Sequence, residues 1–257
     1  MRFIDTHTHL YDEAFETDRS QVMQRSEEAG VDRWIFPAID KSSFSSQMAL
    51  YEQYKGRAFM GAGLHPTSVA EGWKDELDFA IAELKNHPER YVAVGEIGLD
   101  YYWSREFEHQ QKEVLEAQLD YAASNNLPVI IHERNATEDM MDIMKSFKGR
   151  LTGVFHAFTG SIETYRRIAS LGGFKVGIGG VVTFKNAGIA KTVADIPLED
   201  IVLETDSPYL TPTPFRGRRN ESSYIPLIAA KIAEIKQIEI EKVAFTTTSN
   251  AEKLFRI

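Results

Sequence analysis

Short apolar segments alternate along this chain with longer segments in which apolar residues recur at helical spacing. Most of the short segments are continuous apolar runs, which are typical of parallel strands buried on both faces. The sequence predicts eight such strands, at residues 2–6, 33–37, 58–63, 91–96, 128–132, 151–155, 174–178 and 201–205. The segments between them predict helices, among them 106–125, 162–171 and a helix that begins near Pro226.

This alternation indicates βα units arranged around a parallel sheet. Eight units in 257 residues fit the usual size of one barrel. We therefore predict an α/β fold with a single (β/α)8 barrel of the TIM type, in one domain that spans residues 1–257. No linker, low-complexity tract or sequence repeat divides the chain. An open, doubly wound sheet is the alternative topology for the same strands.

Composition narrows the class of protein. Apolar residues make up 43% of the chain and charged residues 26%, which are ordinary values for a globular protein in water. No apolar run approaches the ~18 residues that a membrane span needs. The N-terminus also lacks the basic and long apolar regions of a signal peptide. We therefore expect a cytoplasmic protein that makes no membrane contact, and nothing in the pattern indicates an obligate protein partner.

Charge and cysteine content restrict the chemistry. The net charge of −9 argues against extensive non-specific binding of nucleic acid, which is driven by a basic surface, but it leaves local phosphate binding open. The chain contains no cysteine, so a metal site would have to use nitrogen and oxygen ligands.

Two histidines follow the first predicted strand with a spacing of two residues. Because side chains alternate along a strand, the imidazoles of His7 and His9 should point the same way and could bind one cation. Asp5 has the same parity, which makes it a candidate to orient these rings or to face inward. The alternative is an ordinary polar loop at the end of a strand.

Candidate ligands also end four of the later strands. Glu96 closes the fourth apolar run, His132 the fifth, His156 the sixth and Asp206 the eighth, with Glu204 on the same face as Asp206. Each has a simpler explanation: an internal ion pair for Glu96, core histidines, and a helix cap for Asp206. All of these residues, however, end predicted strands, and barrel active sites are built at the carboxyl ends of the strands. One shared site therefore explains the set better than several unrelated explanations do.

The remaining histidines divide into one candidate and two surface residues. His65 ends the third strand within Gly-Leu-His-Pro, so it belongs with the strand-end candidates. His87 precedes a proline in a polar turn and His109 lies in an acidic helical segment, and we expect both to be at the surface.

The ordered motifs of the chain resemble those of a known family. They are His-Thr-His at 7–9, Gly-Leu-His-Pro at 63–66, Gly-Glu-Ile-Gly-Leu-Asp at 95–100, Ile-His at 131–132, His-Ala-Phe-Thr-Gly at 156–160, Glu-Thr-Asp-Ser-Pro-Tyr-Leu at 204–210 and Arg-Gly-Arg-Arg-Asn-Glu at 216–221. Together they resemble the TatD-type deoxyribonucleases, within the amidohydrolase-like metal hydrolases. The resemblance extends from residue 3 to residue 255.

This resemblance implies a distorted (β/α)8 barrel that hydrolyses phosphodiester bonds in DNA, often as a 3′–5′ exonuclease on single strands. It implies two divalent metal ions, Mg²⁺ or Mn²⁺ and in some members Zn²⁺. The implied ligands are His7, His9, Glu96 and Asp206 for one ion, and Glu96, His132 and His156 for the other. The sequence departs from the family pattern at Asn135, where aspartate is usual, and at Ser222, where proline is usual. Both departures concern loops expected to contact substrate, so they bear on substrate preference.

The family comparison and general chemistry suggest roles for other residues. With Glu96 holding the metals, Asp206 is the candidate to accept the proton of the attacking water, and His65 is a candidate for phosphate contact or positioning. Four arginines could donate forked hydrogen bonds to the phosphates of a bound strand: Arg134, Arg216, Arg218 and Arg219. The alternative for the last two is solvated loop charge.

Three functions are compatible with these residues. The first is a phosphodiesterase acting on single-stranded DNA, with RNA and small phosphodiesters as further candidate substrates. The second is a metal-dependent amidohydrolase or lactonase, for which a carboxylated lysine would be a typical bridging ligand, whereas the fourth strand offers Glu96 and no lysine. The third is a non-catalytic metal-binding or scaffolding barrel, against which the full ligand set argues.

Overall fold

The computed structural model describes residues 1–257 and contains one eight-stranded sheet. Each strand pairs in parallel with the next strand along the chain, in the order of the sequence. The strands are β1 (Phe3–Asp5), β2 (Val31–Phe36), β3 (Ala58–Ala62), β4 (Tyr91–Asp100), β5 (Val129–Arg134), β6 (Gly153–Phe155), β7 (Phe174–Ile178) and β8 (Ile201–Leu203). The sequential order is that of a (β/α)8 barrel, which confirms the predicted α/β fold and excludes a doubly wound sheet.

All eight predicted strands are present, but several of their ends differ from the prediction. β1 and β8 are shorter than predicted, while β4 continues past the predicted end at residue 96. A register shift lies between Val94 and Ile97, and beyond it β4 pairs with β5 again as far as Asp100 opposite Arg134. The extension places Asp100 beside the end of β5, which the sequence prediction did not anticipate.

A helix follows each strand, and one more closes the chain. The helices are α1 (Arg19–Glu28), α2 (Phe44–Gln53), α3 (Trp73–Asn86), α4 (Glu108–Asn125), α5 (Thr137–Lys145), α6 (Ile162–Ala169), α7 (Ile189–Asp195), α8 (Ile225–Lys236) and α9 (Ile240–Phe255). α4 and α6 correspond to the predicted helices at 106–125 and 162–171. α8 has proline in its first turn and buries Ile225, Ile228 and Ile232, which recur at helical spacing. None of the helices is long and apolar enough to cross a membrane.

The barrel is nearly closed, because β1 and β8 meet without forming a regular ladder. The backbone N–H of Thr6 donates to the carbonyl of Leu203 at 3.0 Å, and Thr8 and Ser207 form an isolated parallel bridge. The buried carboxylate of Asp5 crosses the same seam. It accepts hydrogen bonds from the backbone N–H and the hydroxyl of Thr205, at 3.0 and 2.6 Å. Asp5 therefore fixes the join between the first and last strands.

A cluster of nine buried apolar residues joins the barrel strands to the last helix. It combines apolar residues of six strands with the C-terminal end of α9: Ile4, Ile35, Ala93, Ile130, Val154, Val202, Ala251, Leu254 and Phe255. Because side chains alternate along a strand, His132 and His156 continue the faces of Ile130 and Val154. The apolar positions of these strands therefore also determine where the polar side chains at their ends point.

Candidate active site

The carboxyl ends of the strands carry a compact group of histidines and carboxylates. Its members are His7, His9, His65, Glu96, His132, His156 and Asp206, and we call this group the strand-end cluster. The structure thus brings together all six predicted ligands and His65, which come from or directly follow β1, β3, β4, β5, β6 and β8. Their assignment as metal ligands stays a prediction, and the geometry below shows what it would require.

Glu96 lies at the centre of this cluster, and its two carboxylate oxygens face different histidines. Oε2 is 3.0 Å from Nε2 of His7 and 3.8 Å from Nε2 of His9. Oε1 is 2.8 Å from Nδ1 of His132 and 2.7 Å from Nε2 of His156. A single carboxylate therefore separates two sets of nitrogen donors, which is the arrangement that a bridging ligand needs.

Asp206 completes the set on the His7 side. Its Oδ1 is 3.6 Å from Nε2 of His7 and 3.5 Å from Nε2 of His9. The side chain of Asp206 is 14% exposed, whereas that of Glu96 is 3% exposed, so Asp206 reaches the cavity more than the central carboxylate does. The position suits a group that acts on a molecule in the cavity.

The donor atoms of the cluster fit divalent cations. Histidines are the only basic side chains within 4.0 Å of the carboxylates of Glu96 and Asp206. Two buried carboxylates without lysine or arginine partners would be costly unless protons or cations neutralise them. Imidazole nitrogen and carboxylate oxygen are ligands for Zn²⁺, Mn²⁺ and similar ions.

A tyrosine that the sequence prediction missed fixes the orientation of His9. The hydroxyl of Tyr11 donates to the carbonyl of Pro37 at 2.6 Å, and it lies 2.7 Å from Nδ1 of His9. Since the hydroxyl has one proton and a carbonyl can only accept, Nδ1 of His9 must be the donor in the second contact. Nε2 of neutral His9 is then free to bind a cation. Tyr11 continues the two-residue spacing of His7 and His9, and that spacing is the signal that could have identified it.

Asp100 fixes the orientation of the His132 ring in the same way. Its Oδ2 lies 2.9 Å from Nε2 of His132, while Nδ1 of the ring faces Glu96. A carboxylate that accepts from one ring nitrogen leaves the other unprotonated and more basic, as is usual for histidine ligands. The predicted fourth strand ended before Asp100, so this contact was missed, although Asp100 ends the family motif at 95–100 and has the same parity as Glu96.

His65 has the opposite orientation. The backbone N–H of Thr67 donates to Nδ1 of His65 at 3.2 Å, which places the proton of the neutral ring on Nε2. Burial lowers the pKa of His65 despite the nearby Glu96, which favours this neutral ring. Nε2 points toward Oε1 of Glu96 at 3.2 Å. With the proton on Nε2, His65 can donate a hydrogen bond into the cavity, in keeping with its predicted contact to a phosphate.

The charges of the cluster are strongly coupled. Burial disfavours a charged His156, but the adjacent Glu96 outweighs this effect and raises the pKa of His156 to about 10. Burial, together with the charge of His156, lowers the pKa of His7 to about 4. The two rings stack with centroids 3.9 Å apart, so only one of them holds a proton readily. Although burial opposes its ionisation, Glu96 has a pKa well below the usual range because the histidines surround it.

Glu204 lies beneath His156. Its Oε1 accepts a hydrogen bond from the backbone N–H of Ala157 and is 3.7 Å from Nδ1 of His156. Burial raises the pKa of Glu204 to about 8. A Cβ atom at Gly177 would lie 2.0 Å from Oε2 of Glu204, so glycine is required there to leave room for this carboxyl group. The sequence indicated only that Glu204 shares a face with Asp206.

A cavity of about 550 Å³ opens above the cluster. His9, His65, Glu96, His132, His156 and Asp206 line it, together with residues of the surrounding loops. Trp103, Tyr209 and Leu210 form part of its rim and are among the exposed large apolar residues of the protein. The site is therefore accessible and has both polar and aromatic walls.

The four predicted phosphate-binding arginines have different surroundings. Arg134 lines the cavity, and its guanidinium stacks over the ring of Tyr102. Arg216 and Arg218 are exposed but do not line the cavity. Arg219 makes a two-pronged ion pair with Asp18, at 2.8 and 2.6 Å. Arg219 is therefore paired within the protein. The sequence had suggested either a contact to substrate or a solvated loop charge, and the ion pair with Asp18 is neither.

The two departures from the family pattern also differ in position. Ser222 is fully buried and its hydroxyl donates to Oδ2 of Asp5 at 2.6 Å, so it stabilises the β1–β8 seam. The side chain of residue 222 thus faces the seam, and its bearing on substrate preference stays a prediction. Asn135 is exposed next to Arg134 in the left-handed region, with φ of 56°, which asparagine tolerates better than most residues.

A parallel barrel whose strand ends carry histidines and carboxylates around an open cavity defines a class of protein, the metal-dependent hydrolases. Within this class, the model of the family described as TatD related DNase matches residues 4–256. The chain belongs to this family.

Individual relatives agree with this assignment. An uncharacterized metal-dependent hydrolase, YabD of Bacillus subtilis (strain 168), is 41% identical over 255 residues that cover 98% of both chains. The 3′-5′ ssDNA/RNA exonuclease TatD of Pantoea vagans (strain C9-1) is 32% identical, covering 98% of this chain and 99% of the relative. The crystal structure of the TatD homologue YjjV from Escherichia coli K12 superposes with a TM-score of 0.90 at 32% identity, covering 100% of this chain and 98% of that one.

Proposed function

We propose that this protein hydrolyses phosphodiester bonds of single-stranded DNA as a 3′–5′ exonuclease that uses two divalent metal ions, Mg²⁺ or Mn²⁺, with Zn²⁺ as a possible substitute. The observation that carries the proposal is the position of Glu96, whose two oxygens face two separate sets of histidine nitrogens. The direction and the strand preference rest on the relative from Pantoea vagans, which bears the name of such an exonuclease.

Each of the residues that line the cavity has a separate role in the proposed hydrolysis. When bound by the histidines, Glu96 and Asp206, two cations would lower the pKa of a water and neutralise charge on the phosphodiester. Asp206, whose carboxylate reaches the cavity, accepts the proton of the attacking water as the new P–O bond forms and the bond to the leaving oxygen breaks. His65 donates from Nε2 to a phosphate oxygen. Glu96 holds the two halves of the site at a fixed separation.

A metal-dependent amidohydrolase or lactonase is the alternative. A lysine positioned for carboxylation would favour it, but no lysine lines the cavity. The carboxylate of Glu96 occupies the place between the two sets of histidines instead. The phosphodiesterase is therefore the better supported of the two activities. A cytoplasmic location is a further part of the proposal, and cell fractionation would test it.

The activity can be tested with oligonucleotides labelled at the 5′ end, in the presence of Mg²⁺ or Mn²⁺. A 3′–5′ exonuclease produces a ladder of labelled products that shorten with time, whereas a circular single strand stays intact. Asp206→Asn is the matched control, because it keeps the shape of the side chain and removes the proton acceptor. Turnover of an amide or lactone panel without cleavage of any strand would replace the proposal with the alternative.

A further inference from the structure

The segment that follows β4 exposes two adjacent aromatic side chains at the mouth of the cavity. Tyr102 is 51% exposed and Trp103 is 72% exposed. Trp103 lines the same cavity as the strand-end cluster. The guanidinium of Arg134 lies 3.6 Å from the ring centroid of Tyr102 and 5.5 Å from that of Trp103. We call Tyr102, Trp103 and Arg134 the aromatic platform.

The backbone holds this platform in place. Oδ1 of Asp100 accepts hydrogen bonds from the backbone N–H groups of Tyr102 and Trp103, at 2.9 and 3.4 Å. Its other oxygen contacts His132 of the strand-end cluster. The preceding residue, Tyr101, is buried, and its hydroxyl donates to Asp139 at 2.9 Å. The backbone that carries the two exposed rings is therefore anchored next to the cluster, and apart from the stacking of Arg134 on Tyr102 the rings remain largely exposed.

The platform has the chemistry of a stacking surface. Exposed aromatic surface is unfavourable in water, and a flat partner that covers it would remove this cost. Nucleobases are such partners, because every base has a π face and stacks on aromatic rings and on arginine. The protein carries a net charge of −9, so attraction to phosphates cannot by itself supply strong binding of a strand.

We propose that the aromatic platform binds an unpaired nucleobase of the strand whose phosphate lies at the strand-end cluster. The inference rests on the proposed phosphodiesterase function and specifies its substrate class as single strands with free bases. Bases in a duplex are already stacked and paired, so they are not available to the platform. Small diesters without a base do not reach it.

Binding measurements test this inference separately from hydrolysis. The probe is a fluorescently labelled, hydrolysis-resistant phosphorothioate strand, prepared once with all its bases and once with abasic residues at the last three positions of the 3′ end. Fluorescence anisotropy gives the Kd of each strand for wild type, Trp103→Ala and Trp103→Phe. The matched control is Phe245→Ala, which removes another exposed ring, 77% exposed, on α9.

We expect Trp103→Ala to raise the Kd of the complete strand about 5- to 100-fold. Trp103→Phe keeps a ring and should recover most of the affinity, while Phe245→Ala should bind as wild type does. The abasic strand should bind weakly and equally to wild type and Trp103→Ala. Trp103→Ala should weaken binding of the complete strand more than it lowers hydrolysis of the small diester methyl 4-nitrophenyl phosphate, which has no base.

Equal Kd values of wild type and Trp103→Ala for the complete strand would overturn the inference, even if the protein cleaves that strand. If Trp103→Ala also abolished self-association of the chain, the platform would instead be assigned to contact with a second copy. Conversely, binding that depends on both Trp103 and the bases, without any cleavage of an unmodified strand, would retain the platform and refute the proposed nuclease function.

Discussion

The carboxylate of Asp100 contacts Nε2 of His132 at 2.9 Å, on the side of the imidazole opposite to the one that faces Glu96. This contact selects the nitrogen that His132 presents to the strand-end cluster. Residues that orient a ligand in this way affect metal affinity without touching the metal.

We predict that Asp100→Asn lowers the affinity for divalent cations about 10- to 100-fold while the fold is retained. The amide can donate as well as accept, so it no longer enforces one orientation of the His132 ring. Titration with Mn²⁺, monitored by calorimetry, gives the affinity. Asp120→Asn, the same change at an exposed position of α4, is the control and should bind as wild type does. Unchanged affinity in Asp100→Asn would show that the Asp100 contact is not needed.

Glu96→Gln should lower the occupancy of both proposed metal sites together and reduce turnover by orders of magnitude. The carboxamide has one neutral oxygen and an NH₂ group that repels a cation, so it cannot bridge. His156→Ala should empty mainly the site on the Oε1 side. Metal content per chain, turnover and a thermal melt are measured at matched metal concentration. Normal metal content and nearly normal turnover in Glu96→Gln would refute the bridging role.

Chelation should abolish hydrolysis, and added Mg²⁺ or Mn²⁺ should restore it. The cluster contains no lysine or arginine that could neutralise the phosphodiester in place of a cation. Turnover is measured after dialysis against excess EDTA and again after each cation is added back. Full activity of a protein shown to be metal-free would exclude a metal-dependent mechanism.

Cation binding should release at least one proton at neutral pH. In the metal-free protein the pKa of His156 is raised to about 10, because Glu96 outweighs the effect of burial, so His156 is protonated below that pH. The pKa of His7 is lowered to about 4 by burial, so His7 is already neutral and releases none. A ligand must lose its proton to bind a metal, and the cation affinity should therefore rise with pH until it levels off near pH 10, where His156 loses its proton without a cation.

Calorimetric titrations in two buffers with different ionisation enthalpies measure this proton release. His156→Asn cannot hold the proton and should release about one proton fewer than wild type. Identical heats in both buffers for the wild-type protein would contradict a protonated His156.

Alanine substitutions of Arg218 and Arg219 should affect the stability of the protein differently, because only the side chain of Arg219 is held in an ion pair. Arg219→Ala leaves Asp18 with only its longer contact to Arg25, at 3.8 Å, and should lower the free energy of unfolding by roughly 1 kcal/mol, because the lost pair is two-pronged but partly exposed. Arg218→Ala removes an exposed side chain and should leave the melting temperature unchanged. Thermal melts and the KM for an oligonucleotide are compared with Arg150→Ala as the control. A higher KM in Arg219→Ala without loss of stability would assign Arg219 to the substrate after all.

The sequence by itself determined the eight strands and the identity of the residues at their ends, whereas the order of the strands in the sheet was settled by their pairing. This was possible because strands of a parallel barrel are continuous apolar runs, and because their carboxyl ends meet on one face whatever the details of packing. His132 and His156 could be placed in this way, since each continues the face of an apolar residue two positions earlier.

Only the tertiary structure decided which atom of each side chain faces the site and which charges are already paired. Asp18 pairs with Arg219, and Asp100 orients His132, although the two residues of each pair are far apart in the sequence. These contacts depend on how segments from different βα units meet, and no local periodicity records that. Tyr11 and Thr67 each orient a histidine two residues away, but the conformation of the loop decides which ring nitrogen they contact. The extension of β4 to Asp100 likewise depends on pairing with β5 beyond a register shift, a long-range interaction that the apolar pattern of one strand does not contain.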